Sequence, residues 1–237
     1  MLTLILPSSP SILAMLTPST SVLCSPEYAD VYPPSEDSFL FLDALEEDVS
    51  FLRSLPITVS LEVGSGSGII SSFLYAIDPR LRYHICTDIS SAACRATTEV
   101  ILSNLHREAS AVLDQMQCSL VGPLLPRLRS HVDLILFNPP YVPTTQEEHQ
   151  TAGFGVTATW SGGLHGREVI DAFLPQAVEL LSPTGCLYLL LLEDNIPAEV
   201  HQLIRRLSNG LLLPTLIKKR RASNELLYIF RYNNKSS

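Results

Sequence analysis

Along this chain the spacing of apolar positions changes repeatedly from a period of two, or an unbroken apolar run, to the three-to-four spacing of one helix face. Thr58–Val63, Arg82–Thr87, Ala111–Leu120, Val132–Phe137 and Gly185–Leu192 read as strands. Between them Asp37–Leu45, Ile69–Ile77, Ser90–Leu105, Gly166–Leu181 and Pro197–Leu207 read as helices. Ser35, Asp37 and Ser38 are N-cap candidates for the first helix, and Ser90 or Ser91 for the third. Strands alternating with helices at short intervals predict a mostly parallel sheet covered on both faces. Leu211–Lys218 and Glu225–Arg231, with no helix between them, predict a closing antiparallel hairpin and a total of seven strands.

At 237 residues the chain has the length of one α/β domain. The first 26 residues lack any charged side chain and are interrupted by Pro7, Pro10 and Pro18. They carry neither the basic start of a secretory signal nor the arginines of a mitochondrial presequence. They read as a disordered leader before a domain at 27–237, with Met15 as an alternative start. No apolar stretch reaches membrane length.

Composition narrows the partners. Hydrophobic residues make up 46% and charged residues 17%, and the mean hydropathy of +0.22 is high enough to suggest apolar surface facing another protein. A formal charge of -8 argues against gripping a phosphate backbone by bulk electrostatics; the one basic cluster is Lys218 to Arg221. Cys24, Cys86, Cys94, Cys118 and Cys186 have no metal-ligand spacing, so no metal site is expected, and a reducing compartment fits them. The cytoplasm is the expected location, with the nucleus left open.

Candidate chemistry clusters at the carboxyl ends of the predicted strands, where doubly wound sheets bind ligands. Leu61-Glu62-Val63-Gly64-Ser65-Gly66-Ser67-Gly68 places an acid at a strand end and three alternating glycines before a helix, a turn whose backbone can approach a ligand. GxGxG spacing disfavours a nicotinamide cofactor, and the absence of a following Lys-Ser/Thr pair disfavours a P-loop. Asp88 ends the next strand at the position of a ribose-binding acid, or serves as a helix cap, and Ile89 would flank an adenine. Asp133 to Tyr141 is a buried strand that ends in Asn138-Pro139-Pro140-Tyr141. An amide or sp2 nitrogen is a poor nucleophile and must be held in line while its N–H groups find acceptors. The Asn138 carboxamide oxygen and the Pro139 carbonyl can accept those bonds, and Tyr141 offers a flat face to a planar amide or base.

These residues resemble class I methyltransferases of the HemK-like group. Asp30 to Phe39, Leu61 to Gly68, Leu124-Leu125-Pro126-Arg127-Leu128, the NPPY loop, Trp160-Ser161-Gly162-Gly163 and Gly166-Arg167-Glu168-Val169 resemble its eukaryotic and archaeal branch, from about Asp30 to the C-terminus. The resemblance implies a Rossmann-like fold and S-adenosylmethionine as cofactor. It implies methyl transfer to the N5 amide nitrogen of the glutamine in the Gly-Gly-Gln loop of a class 1 translation release factor. It also implies a small zinc-binding activator protein, forming a heterodimer along an apolar edge of the sheet. By the same resemblance Asp37 and Ser38 close the cofactor pocket, Glu62 and Gly64 border the methionine end with Gly66 and Gly68 completing the turn, Asp88 takes the ribose, and Asn138 and Pro140 belong to the substrate loop. Ser119, before Leu120, stands where the family usually has an acid near the adenine amino group, and a hydroxyl can still accept there. Pro33 stands where the family commonly has Glu. Adenine N6 transfer on a nucleic acid is the alternative, since NPPY loops also serve flipped bases. His165 reads as an exposed loop residue and Trp160 as a loop anchor.

Overall fold

The period-two blocks assemble into one seven-stranded sheet in the computed structural model, which describes residues 17–105, 112–143, 162–222 and 225–234. Its strands are β1 (Val59–Val63), β2 (Tyr83–Asp88), β3 (Val112–Gln117), β4 (Val132–Phe137), β5 (Leu181–Leu192), β6 (Leu212–Ala222) and β7 (Glu225–Asn234), in the order β3-β2-β1-β4-β5-β7-β6. The first five run parallel, and β7 lies antiparallel between β5 and β6. This is the predicted mostly parallel sheet with a terminal hairpin.

Strand alternation sorts side chains into two cores. Leu187, Leu189 and Leu191 face one side of β5, while Cys186, Tyr188, Leu190 and Leu192 face the other. The second side packs against α1 (Glu36–Glu47), α2 (Val49–Ser54), α3 (Ile69–Ile77) and part of α4 (Ser91–Asn104). The first side packs against α5 (Leu125–Leu128), α6 (Glu168–Leu180) and α7 (Pro197–Leu207). Burial on both faces explains why β4 and β5 read as unbroken apolar runs. Among the described residues no helix is long and apolar enough to cross a membrane.

Helix starts follow the capping chemistry. Ser35 caps α1, its N–H donating to the Ser38 hydroxyl at 3.4 Å. Ser90 caps α4, accepting from the Ala93 N–H at 3.3 Å. The short α2 carries no signal in the hydrophobic pattern because a single residue, Leu52, is buried. It is held by Arg53, which donates to the Ile77 carbonyl at 3.0 and 3.1 Å. The hairpin runs further than predicted, to Ala222 on β6 and Asn234 on β7, because backbone ladder bonds do not require apolar side chains.

Residues 17–26 differ from the expected leader. They form turns at Ser21–Cys24 and Pro26–Tyr28, and Val22, Leu23 and Tyr28 pack against Ala93 and Ala96 of α4. The Ser19 N–H donates to Asn104 at the far end of that helix, 2.8 Å away. Leucine and valine set among serines and threonines supply that contact, so the low charge there reflects packing rather than disorder. The rest of the leader, with Met15, and the loop residues Trp160 and Ser161 lie outside the described residues.

Candidate active site

The strand order reverses between β1 and β4, so the connections leaving them diverge and open a crevice at their carboxyl ends. Val63 and Phe137 sit opposite each other at that edge, which brings the glycine turn and the NPPY loop face to face. A cavity of about 480 Å³ lies there. It is lined by Asp37, Ser38, Glu62, Gly64, Gly66, Asp88, Ile89, Ser119, Leu120 and all four residues Asn138 to Tyr141. Segments from five separate parts of the chain thus converge on one cavity.

Gly68 is the exception. It caps α3 with φ +75°, and a Cβ there would come within 2.6 Å of the Thr97 backbone in α4. Its work is the close approach of two helices rather than cavity wall. Asp88 both lines the cavity and orders the turn: it accepts from Gly66 N–H at 2.9 Å and Ser90 N–H at 2.8 Å. The helix cap itself is Ser90, so Asp88 is not the terminal cap of α4. Burial raises its carboxyl, and those backbone donors counter the rise.

The centre of the site is a side-chain pair that no motif spacing reveals. Asn138 Nδ2 donates to Asp37 Oδ2 at 2.9 Å, joining the NPPY loop to the first turn of α1 across 101 positions of sequence. Asp37 accepts the Ser38 hydroxyl with its other oxygen at 3.4 Å. With its NH₂ group thus engaged, the Asn138 carboxamide oxygen is buried without a partner among the described residues. A buried acceptor left unmade costs about 1–3 kcal/mol, so a group arriving with an N–H is favoured at that atom. The neighbouring Tyr141 phenol is driven upward by burial and stays neutral.

The loop's far end is fixed by Asn195, a residue the sequence reading passed over. Its amide donates to the Tyr141 and His165 carbonyls, each at 2.8 Å, and accepts the Leu192 N–H at 2.6 Å. Asn195 is fully buried directly after the apolar run of β5, and that polar residue at a strand exit was its one signal. A Cβ on Gly166 would collide with the same Tyr141 carbonyl, so glycine is required there. His165 is exposed, as expected, and contributes its carbonyl.

Beneath the glycine turn lies a buried polar group. Glu62 is hydrogen-bonded to the Ser71 hydroxyl, and burial pushes its carboxyl up to about 8. The same hydroxyl lies 2.6 Å from His84 Nε2 and 3.3 Å from Cys86 Sγ. Glu62, His84 and Cys86 approach one another as closely as ligands of an ion would, but the Ser71 hydroxyl holds the central position and bonds to all three.

Among the described residues, five acids line the cavity, Asp30, Asp37, Glu62, Asp88 and Glu168, and no lysine, arginine or histidine does. That lining fits a small cation and repels the pyrophosphate of a dinucleotide. The basic cluster lies elsewhere, and half of it is neutralised, Lys218 by Glu47 and Arg220 by Asp43, both on α1.

No family model matches the sequence. The chain is 42% identical over 207 residues to the mouse (Mus musculus) protein named Methyltransferase HEMK2, covering 87% of this chain and 91% of that one. It is 36% identical over 222 residues to the eRF1 methyltransferase catalytic subunit mtq2 of Schizosaccharomyces pombe, covering 91% and 94%. A solved structure of the E. cuniculi Mtq2-Trm112 complex, described as responsible for methylation of the eRF1 translation termination factor, matches with a TM-score of 0.61 and 27% identity, covering 87% of this chain and 99% of that one. With similarity of this depth over nearly the whole length, and the NPPY loop facing the glycine turn across an acidic cavity, the chain belongs to the HEMK2 and Mtq2 family of methyltransferases.

Proposed function

We propose that this methyltransferase moves the methyl group of S-adenosylmethionine onto the side-chain amide nitrogen of the glutamine in the Gly-Gly-Gln loop of a class 1 release factor. The observation that carries the reading is the Asn138 carboxamide, anchored by Asp37 through its nitrogen and offering a buried oxygen with no partner among the described residues. A primary amide presents N–H donors and is planar, which suits that oxygen, the Pro139 carbonyl and the Tyr141 ring together.

The cavity residues fit the cofactor by charge. The adenosyl end would lie along Ile89, Ser119 and Leu120, the ribose hydroxyls on Asp88, and the methionine end over Glu62 and Gly64, with Asp37 and Ser38 closing the pocket. When bound, S-adenosylmethionine supplies a methyl group on a cationic sulfur whose charge is neutralised on transfer, so no general base is required. The protein's part is positioning: the acceptors at Asn138 and Pro139 fix the nitrogen's direction and stabilise the charge that develops on its N–H groups. The acidic lining and the tied-down basic cluster disfavour the nucleic-acid alternative.

A small zinc-binding activator would dock on the β3 edge. The opposite edge, β6, is guarded by Lys219 and Arg221, whereas β3 carries one charged residue, Asp114, and exposes Val112, with Leu113 and Met116 partly buried against the two cores. Val112 and its register neighbour Tyr83 are 53% and 51% exposed, an apolar pair beside unpaired backbone.

Asn138→Ala tests the proposal. Transfer to the release factor is expected to fall below detection while calorimetric binding of S-adenosylmethionine changes less than about threefold. An active Asn138→Ala enzyme would overturn it.

A further inference from the structure

The polar residues buried under the glycine turn form an ordered chain. Ser60 and Glu62 of β1, His84 and Cys86 of β2 and Ser71 of α3 occupy one face of the sheet, every one of them nearly or wholly inaccessible. Ser60 Oγ lies 2.8 Å from His84 Nδ1 and 3.3 Å from the Tyr83 carbonyl. His84 Nε2 lies 2.6 Å from Ser71 Oγ, which bonds in turn to Glu62 at the cavity floor. A buried polar chain is stable only if every proton has one acceptor, and that requirement leaves two arrangements.

In the first, Glu62 is a neutral acid and donates to Ser71. Ser71 donates to His84 Nε2, His84 carries its proton on Nδ1 and donates to Ser60, and Ser60 donates to the Tyr83 carbonyl. In the second, Glu62 is a carboxylate and accepts from Ser71. Ser71 accepts from His84 Nε2–H, and His84 Nδ1 accepts from Ser60. Cys86 can donate its S–H to Ser71 in both. The first arrangement holds four exchangeable protons on Glu62, Ser71, His84 and Ser60, and the second holds three; the fourth goes to solvent.

We infer that this chain is a proton-linked positioning device: a cation arriving beside Glu62 selects the second arrangement, expels one proton and switches His84 from the Nδ1–H to the Nε2–H tautomer. The inference rests on the cofactor reading above, in which the cation is the ammonium group of the methionine end. Burial supports the starting state, holding Glu62 protonated at neutral pH and His84 uncharged, its pKa pushed down to about 3. The groups facing Glu62 reinforce it. Among the described residues they are Ser71 on α3, His84, Cys86 and Asp88 on β2, and Asp37 across the cavity on α1; burial keeps His84 neutral and none is cationic. His84 acts through Ser71 and is a positioning residue.

The test uses the full chain in complex with its activator. Calorimetry of S-adenosylmethionine at pH 7 in phosphate and in Tris reads proton release from the difference in apparent enthalpy, and nitrogen-15 histidine spectra read the tautomer. Close to one proton released, with His84 passing from Nδ1–H to Nε2–H, is the expected result. Methylthioadenosine, which lacks the ammonium group, is expected to bind with no proton release, and Ser71→Ala to bind S-adenosylmethionine with the tautomer no longer following. Binding heat independent of buffer, or an unchanged tautomer in the wild type, would overturn the device and leave the cofactor reading standing. Absence of any binding heat would instead overturn the cofactor reading, and the device with it.

Discussion

At the scale of single residues, the site depends on two side chains whose environment matters more than their identity. Asp37 holds the Asn138 amide in one of its two orientations. Asp37→Ala frees the carboxamide to rotate, and the loss of one such bond, about 1–1.5 kcal/mol, predicts a fall in kcat of roughly tenfold. Single-turnover methyl transfer at saturating cofactor checks this. Glu62 affects stability. Its folded pKa, about 8, lies above the ordinary 4.5, so the unfolded chain ionises first and the ligand-free fold loses stability as pH rises between those values. His84 acts oppositely between about 3 and 6.5, where its folded form resists protonation and stability rises with pH. The two slopes compete below pH 6.5, so the Glu62 effect stands alone from 6.5 to 8. Ligand-free protein is expected to melt at lower temperature at pH 8 than at 6.5, and Glu62→Gln to flatten that slope; an unchanged slope in the variant would show that Glu62 is not its source. Glu62, Asp88 and Asn138 were legible as candidates, and all three line the cavity, because each lies within one residue of a strand end in a recognisable motif. The Asp37–Asn138 bond was not, since a contact spanning 101 positions leaves no local pattern.

At the scale of elements, strands and long helices followed the hydrophobic period because each buries a continuous face. The signals failed where burial was slight or polar, at α2, at the extended hairpin and at Asn195. Gly68 lies off the cavity lining, and its place was not legible because a glycine serving a helix–helix approach looks the same in sequence as one serving a ligand. Asn195 and Gly166 act on one atom, the Tyr141 carbonyl, from two elements. Asn195→Ala leaves the Tyr141 and His165 carbonyls without that donor, a cost of about 1–3 kcal/mol for each that stays buried. Gly166→Ala pushes on the first of them. Both variants are expected to lower kcat severalfold or more while the cofactor dissociation constant stays within about threefold. A variant that loses cofactor affinity and turnover in parallel would point to general unfolding instead.

At the scale of the whole molecule, the architecture sets apart three surfaces: a cavity at the β1/β4 switch point, a charged β6 edge, and a β3 edge that exposes Val112. Val112→Lys places a charge on the β3 edge without touching the cavity, and is expected to abolish copurification of a coexpressed zinc-binding activator. Copurification at wild-type yield would move the partner elsewhere. The acidic cavity, with no basic lining among the described residues, makes the same division in charge, favouring a cation over a phosphate chain. The measurement that bears most directly on the account is radiolabelled methyl transfer by the chain coexpressed with its activator, offered a release factor, its Gly-Gly-Gln loop Gln→Ala variant, and adenine-containing DNA and RNA. Label on the wild-type release factor alone is the predicted result; label on the Gln→Ala variant, or on nucleic acid alone, would contradict it.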